Sequence, residues 1–179
     1  SILQSISVFK VVPIVRVPFN EASIISKSLD AGAQAIICPM INNMKECESF
    51  VSACKYPPEG IRSYGPTRAA IHFNDTYLKT FNKKVTSFAM IETKESVENL
   101  NSILSVDGLD AVYIGPFDLA ISLGVNPLKS FEDKLTIDTI RYILKLSKNK
   151  GKRTAIHCIN GEIAKKYLDL GFDLVTIST

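Results

Sequence analysis

Short apolar runs alternate with segments of helical spacing along the whole chain, and this alternation constrains the fold more than any other feature. Each run is rich in β-branched residues and is followed by a polar or Gly/Pro break. The runs are continuously apolar, which predicts strands buried on both faces of a parallel sheet covered by helices. The six predicted strands are Val12–Val17, Gln34–Cys38, Thr86–Ile91, Ala111–Ile114, Thr154–Cys158 and Asp173–Ser178.

Helical spacing between these runs predicts the covering helices. Two of them stop just before a glycine, at Gly32 and Gly171, which suits an end in the left-handed conformation. The stretch from Lys55 to Lys84 breaks the rhythm and is predicted to be a long irregular loop, a kind that is usually functional or disordered. The predicted helices are Glu21–Leu29, Met44–Ala53, Ser96–Leu104, Ile137–Ser147 and Glu162–Leu170, with a helix end over Ile2–Phe9.

Two α/β architectures fit this pattern. A doubly wound sheet of six strands would be complete, whereas a (β/α)8 barrel would be incomplete and would keep two open edges. Side chains that follow the strands face the site in both architectures, but only a barrel makes them converge at one mouth. The strand ends carry Arg16, Cys38-Pro39-Met40, Glu92, Gly115-Pro116-Phe117-Asp118, His157 and Ser178.

The composition is that of one globular domain, residues 1–179, with 46% hydrophobic and 22% charged residues. The net charge of +3 is spread along the chain, so neither a nucleic-acid nor a membrane surface is expected. No apolar run reaches the ~18 residues of a membrane span, and the first residues lack a secretory pattern, which favours a cytoplasmic protein. The four cysteines show neither zinc spacing nor disulfide density and are predicted to be reduced, structural thiols.

Glu92 and Asp118 lie at the ends of successive strands, with no cysteine or histidine pair beside them. Two such carboxylates suit a hard divalent cation that keeps open positions for substrate oxygens. The alternative is that both residues stabilise the N-termini of the helices that follow.

Arg16 interrupts an otherwise apolar strand and would hold a carboxylate or a developing enolate oxygen. A buried ion pair with a neighbouring carboxylate is the alternative. The turn Gly115–Asp118 begins a helix whose backbone N–H groups can bind an anionic group. His157 is interpreted as a packed, hydrogen-bonded histidine, with a base or substrate contact as the alternative, and His72 lies in the irregular stretch.

Several catalytic patterns are missing from the sequence: a Ser-His-Asp arrangement, a phosphate loop and G-x-G-x-x-G. None of the six strands contains a lysine, which argues against an aldolase that forms a Schiff base.

Seven motifs in order resemble the HpcH/HpaI aldolase family, the class II 2-oxo-acid aldolases related to 4-hydroxy-2-oxoheptanedioate aldolase. The resemblance implies a TIM barrel of which about strands 3 to 8 are present. It implies a divalent metal (Mg²⁺, Mn²⁺ or Co²⁺), pyruvate or another 2-oxo acid and an aldehyde as partners, and a homo-oligomer for the full-length protein. The motifs are VRVPFN, LDAGAQAIICPM, YPPEGIRSYGPTRA, MIET, GLDAVYIGPFDLAISLG, IHC and LDLGFDLVTIS.

The resemblance also assigns residues. Glu92 and Asp118 match the metal ligands, and Arg16 matches the arginine that stabilises the enolate. Asp30 matches an acid that raises the basicity of the catalytic histidine. The turn at Phe117 and Asp118 matches the backbone contact to the pyruvate carboxylate. Met90 stands where some members have a substrate-binding glutamine, and it lacks the amide.

The chain begins after the family's catalytic histidine and ends before the helix that subunits exchange. Neither His72 nor His157 corresponds to that histidine, so this polypeptide alone is expected to be an inefficient aldolase that retains metal-assisted decarboxylation of oxaloacetate. Two alternatives stay open. One is a non-catalytic barrel fragment that binds metal and a 2-oxo acid; the other is a citrate-lyase-like acyl-CoA lyase with Arg62 and Arg68 near the CoA phosphates.

Overall fold

The computed structural model describes residues 2–6, 8–9, 11–66, 69 and 77–178, so the predictions for Arg68 and His72 lie outside the described residues. Its centre is one parallel sheet. The strands are β1 (Ile14–Arg16), β2 (Ala35–Cys38), β3 (Thr86–Ile91), β4 (Ala111–Ile114), β5 (Arg153–Cys158) and β6 (Leu174–Ile177).

The strands lie in the order β1-β2-β3-β4-β5-β6, and every neighbouring pair is parallel. A doubly wound sheet reverses its order at a switch point, whereas a barrel adds each strand beside the last one. The sequential order therefore confirms the incomplete barrel, with β1 and β6 as the edges of the described sheet.

Helices cover the outer face and connect the strands. They are α1 (Ile2–Ile6), α2 (Ala22–Asp30), α3 (Met44–Cys54), α4 (Tyr77–Lys84), α5 (Lys94–Glu98), α6 (Leu100–Ile103), α7 (Pro116–Ser122), α8 (Lys134–Asn149) and α9 (Gly161–Asp169), with a 3-10 turn at Pro127–Lys129. No helix among the described residues is long and apolar enough to cross a membrane.

The predicted helices are confirmed within a few residues, with two corrections. The segment Ser96–Leu104 is divided at Asn99 into α5 and α6. The irregular stretch was predicted to reach Lys84, which is wrong because α4 begins at Tyr77. Tyr77 and Phe81, one turn apart, are buried and pack on the ring of Tyr56, so tertiary contacts stabilise a helix that is otherwise mostly polar.

Successive strand residues point to opposite faces of the sheet and form two cores. The outer core packs the sheet on the helices, whereas the inner core lies on the concave face. This inner core consists of Ala35, Ile37, Phe88, Met90, Ala111, Tyr113 and Ala155, with Leu174 packed against it. Arg16 pairs with Ile37, and Glu92 and His157 follow Met90 and Ala155 by two residues, so all three belong to the concave face at the carboxyl ends of the strands.

Candidate active site

Glu92 is a buried carboxylate directly after β3, with only 1% of its surface exposed. Its Oε1 accepts a hydrogen bond of 2.8 Å from the backbone N–H of Met40, a residue held at φ 55°. Its Oε2 is buried and has no hydrogen-bond partner among the described residues. Burial raises the pKa of Glu92, and Asp118 raises it further, whereas the Met40 hydrogen bond and the charge of Arg16 lower it.

Gly115, at the end of β4, leaves space beside this unpaired oxygen. A Cβ at Gly115 would lie 2.5 Å from Oε2 of Glu92 and 3.1 Å from Cε of Met90. Glycine is required here by close approach, since its φ of −98° is open to any residue. The structure thereby explains the glycine of the GPFD turn.

Asp118 lies in the first turn of α7 and is exposed. It makes no capping hydrogen bond, since the N-cap residue of this helix is Gly115 and no side chain caps it. The residue that caps α5 is Thr93, which forms a capping box with Ser96. The capping interpretation of Glu92 is therefore wrong. The structure leaves both carboxylates without a capping hydrogen bond.

Arg16 occupies the end of β1 on the concave face and is exposed, because β1 is an edge strand. It forms no ion pair with any residue that the structure describes, so the buried ion-pair interpretation is wrong. Its charge nevertheless lowers the pKa of Glu92, which places the guanidinium within electrostatic reach of that carboxylate.

His157 is hydrogen-bonded through both ring nitrogens, as the packed interpretation expected. Nδ1 lies 3.0 Å from Oγ1 of Thr176, and Nε2 lies 3.0 Å from Oγ of Ser178. Thr176 is also bonded to the hydroxyl of Tyr113 over 2.5 Å. Burial lowers the pKa of His157, which favours the neutral form of the ring. The sequence reasoning missed Tyr113 and Thr176, although alternation along β4 and β6 places both on the concave face.

Asp30 lies at the end of α2 and before β2 begins, which puts it at the amino ends of the strands, away from the carboxyl ends that carry Glu92. Its Oδ1 accepts a hydrogen bond of 2.5 Å from Nη2 of Arg62, whose side chain is fully buried. The Arg62 guanidinium lies 4.5 Å and 4.3 Å from the ring centroids of Tyr56 and Phe81. Within this chain Asp30 and Glu92 are thus not brought together, and the assignment of Asp30 to catalysis stays a prediction.

Met90 and Phe117, the other predicted substrate-binding residues, both lie near Glu92 or His157. Met90 is buried in the inner core below Glu92, and Phe117 is half-buried with its ring 6.2 Å from that of His157. Cys38, Cys47, Cys54 and Cys158 are buried and free, which confirms structural thiols. The described residues contain no group of three or more His, Cys, Asp or Glu side chains arranged to hold a metal.

Comparison with known proteins shows the family. Residues 1–177 match the model of the HpcH/HpaI aldolase/citrate lyase family. The chain is 43% identical to a hydroxypyruvate/pyruvate aldolase of Rhizorhabdus wittichii, over 92% of this chain and 65% of that protein. It is 37% identical to a 4-hydroxy-2-oxo-heptane-1,7-dioate aldolase of Klebsiella pneumoniae, over 98% of this chain and 66% of that protein.

A solved structure agrees with these relatives. An HpcH/HpaI aldolase/citrate lyase family protein from Burkholderia cenocepacia superimposes with a TM-score of 0.85 at 28% identity, over 94% of this chain and 67% of that one. The chain spans just under two thirds of the length of the curated relatives given above, 65% and 66%. The sequence motifs, the sequential parallel sheet and these matches agree, and the chain belongs to the HpcH/HpaI aldolase/citrate lyase family.

Proposed function

We propose that this chain carries the metal- and pyruvate-binding part of a class II aldolase, and that the whole protein cleaves a 4-hydroxy-2-oxo acid to pyruvate and an aldehyde. The observation that carries the proposal is the state of Glu92. Its carboxylate is buried, with one oxygen fixed by Met40 and the other without a partner among the described residues.

A divalent cation fits these residues. An unpaired buried carboxylate oxygen is costly, and a cation held between it and Asp118 would remove that cost. The carboxylate of Asp118 is close enough to raise the pKa of Glu92, so a shared cation would also relieve the repulsion between the two charges. Gly115 keeps the space beside Oε2 free. Carboxylate oxygens are the ligands that Mg²⁺ and Mn²⁺ prefer.

The reaction breaks the bond between C3 and C4 of the substrate. The C4 hydroxyl gives its proton to a base, C4 leaves as the aldehyde, and the electron pair of the broken bond stays on C3 as the enolate of pyruvate. C3 then takes a proton back from the protonated base, which completes the pyruvate. A bound cation would act as a Lewis acid on the 2-oxo group. Arg16 supplies positive charge where the enolate oxygen develops its negative charge. The N–H groups of Phe117 and Asp118, in the first turn of α7, lack intrahelical acceptors and would bind the pyruvate carboxylate.

His157 is not proposed as the base, because hydroxyl groups engage both of its ring nitrogens. Met90 is proposed to form the floor of the site, since a buried thioether offers no amide to the substrate. The choice among Mg²⁺, Mn²⁺ and Co²⁺, the homo-oligomer and the cytoplasmic location remain predictions from the sequence. The citrate-lyase-like alternative is not favoured, since Arg62 is buried against Tyr56 and Phe81 and presents no charge to a CoA phosphate.

The affinity of the protein for Mn²⁺, measured from the electron paramagnetic resonance signal of the free ion, tests the metal site. We expect Glu92→Gln and Asp118→Asn each to weaken binding at least about tenfold, or roughly 1.4 kcal/mol. Glu95→Gln removes an exposed carboxylate on α5 and serves as the matched control, with unchanged affinity. Equal affinity for the Glu92 variant and the control would contradict the proposal.

Decarboxylation of oxaloacetate with added Mn²⁺, measured as pyruvate in a coupled assay, tests the enolate site. Arg16→Ala is expected to lower the rate by about tenfold or more with little change in Mn²⁺ affinity, because the guanidinium acts on charge that develops during the reaction. An unchanged rate would remove Arg16 from the site.

A further inference from the structure

One row of residues crosses four strands at a single level. Ile91 pairs with Ile114, Ile114 with Ile156, and Ile156 with Val175. The residues that follow these four therefore stand side by side, and they belong to the concave face. They are Glu92, Gly115, His157 and Thr176.

Gly115 stands in this row without a side chain, and its neighbours cover the place. A Cβ there would lie 2.5 Å from Oε2 of Glu92 and 3.1 Å from Cε of Met90. Adjacent strands lie about 4.8 Å apart, which puts the backbones of Glu92 and His157 about 10 Å from each other. Met90 and Tyr113, which pair with each other, lie one level below with buried side chains. Glu92 and His157 therefore belong to one surface, on either side of Gly115.

The His157 side of this surface forms a polar wall. The His157 ring is bonded to the hydroxyls of Thr176 and Ser178, and Thr176 is bonded in turn to Tyr113. A neutral imidazole has one N–H and one accepting nitrogen. If Nε2 carries the proton and donates it to Ser178, the Ser178 hydroxyl proton is free to be donated elsewhere. If Nδ1 carries it, the free donor lies at the Tyr113–Thr176 end of the chain. Either arrangement leaves an O–H donor at one end of the chain.

An apolar group placed against this wall would cover polar atoms without giving them a partner. Leaving a donor or acceptor unpaired costs about 1–3 kcal/mol, whereas a hydroxyl group in the same place would satisfy it. Sites built to bind a hydroxyl therefore discriminate strongly against analogues that lack one.

We propose that His157, Thr176 and Ser178 form the subsite for the second substrate of the aldolase, and that they select an aldehyde with a hydroxyl group beside its carbonyl carbon. The inference rests on the proposed function, because the first substrate is taken to be pyruvate at Glu92, Asp118 and Arg16. Phe117, whose ring lies 6.2 Å from that of His157, connects the two subsites through the turn that begins α7.

Glycolaldehyde and propanal make a matched pair, since a hydroxyl in one replaces a methyl group in the other. We would compare kcat/KM for their addition to pyruvate with Mg²⁺ present. The unsubstituted polypeptide is expected to prefer glycolaldehyde, and His157→Leu and Ser178→Ala are expected to lower that preference at least about fivefold. Ser105→Ala removes an exposed serine on the outer surface and serves as the control. An unchanged preference in both site variants would overturn the inference.

Exchange of the methyl protons of pyruvate in D2O separates this inference from the proposed function, because it involves no aldehyde. Exchange in His157→Leu at the unsubstituted rate, together with a lost preference for glycolaldehyde, supports the subsite. Absence of Mn²⁺ binding by the unsubstituted polypeptide counts against the proposed function alone.

If neither aldehyde is added to pyruvate, the NMR signal of the His157 imidazole tests the subsite instead. The sequence has two histidines, so His157→Asn identifies the signal of His157 in an ¹⁵N-histidine sample. A saturating shift of that signal with glycolaldehyde but not with propanal supports the subsite. Equal shifts with both aldehydes, or no shift with either, overturn it.

Discussion

Gly115 and Glu92 stand side by side on neighbouring strands, so close that a methyl group on the first would lie 2.5 Å from Oε2 of the second. The Glu92 side chain cannot simply move aside, because Oε1 is bonded to the N–H of Met40 and the residue is buried. A side chain at Gly115 therefore acts on the candidate metal site while removing no ligand.

Gly115→Ala is expected to weaken Mn²⁺ binding at least about tenfold, since the added methyl group displaces the carboxylate oxygen of Glu92 that has no partner among the described residues. Titration of Mn²⁺ with detection of the free ion measures this. Gly161→Ala is the matched control, because a Cβ there meets nothing within 4 Å. Parallel losses of affinity in both variants would show that a general loss of folding, and not the contact with Glu92, is responsible.

Asp30→Ala tests the ion pair between Asp30 and the buried Arg62, at the amino ends of the strands. It leaves the Arg62 guanidinium buried and without its carboxylate, which is expected to cost about 3–5 kcal/mol of unfolding free energy. Urea denaturation measures the change. The exposed pair of Asp138 and Arg141, with atoms 3.5 Å apart, gives the control, since Asp138→Ala is expected to cost less than about 1 kcal/mol.

The double variant Asp30→Ala with Arg62→Met should recover part of that loss, because no uncompensated charge remains between the rings of Tyr56 and Phe81. Additive losses would argue against a coupled pair. The same Asp30 variant, assayed for pyruvate proton exchange, tests the catalytic assignment of Asp30. A fall in rate larger than the loss of folded protein explains would support that assignment.

The sequence predicted the sheet closely because continuous apolar runs have one physical explanation, burial on both faces. The ends of the strands were predicted less closely. Val12 is exposed, and β1 is shorter than the apolar run that predicted it. Arg16 was expected to need a partner if buried, but an edge strand leaves its guanidinium in contact with water. The position of a strand within the sheet is a tertiary property, which a single apolar run does not encode.

Two features were difficult to predict from the sequence, helix α4 and the role of Thr176. The helix α4 depends on Tyr77 and Phe81 packing against Tyr56, which lies far away in sequence. In the sequence, Thr176 is an ordinary β-branched strand residue. Only its pairing with His157 in the sheet shows that its hydroxyl belongs to a polar surface. Glu92 and Asp118 were predicted from the sequence because parallel strands bring their carboxyl ends to one side of the sheet.

The four cysteines are expected to react very slowly with a thiol reagent in the folded protein. Burial raises the pKa of Cys38 and of Cys47 to about 12, so only about one thiol in ten thousand is ionised at pH 8. Cys158 is also buried, with its pKa raised to about 11. Each thiol that reacts releases one thionitrobenzoate from the reagent, and the absorbance of this product counts the reacted thiols. It should count four thiols in urea and close to none in buffer. Rapid labelling of one thiol in buffer would show that the part of the sheet or helix carrying it opens.

Asp173 is expected to make part of the stability depend on acid pH. Its Oδ2 accepts hydrogen bonds from Nζ of Lys148 and from the N–H of Thr154, each 2.7 Å long. Partial burial alone would raise the pKa of Asp173, but these hydrogen bonds from Lys148 and Thr154 outweigh it and lower the pKa below the ordinary 3.8. The ionised form is thus favoured in the folded state. The contribution of this carboxylate to the free energy of unfolding is present above pH 3.8. It is lost as the pH falls through the lowered pKa of the folded state.

Asp173→Asn should therefore be less stable than the unsubstituted protein near pH 6, by about 1 kcal/mol, because the charge-assisted bonds to Lys148 and Thr154 become neutral ones. The difference should shrink as the pH falls from about 3.8 through the lowered folded pKa, because the carboxylate of the folded, unsubstituted protein becomes protonated over that range. Urea denaturation at several pH values measures both curves. Asp138→Asn, on the exposed face of α8, controls for the loss of one carboxylate. A difference that stays constant down to pH values well below 3.8 would mean that Asp173 stabilises the start of β6 through its shape rather than through its charge.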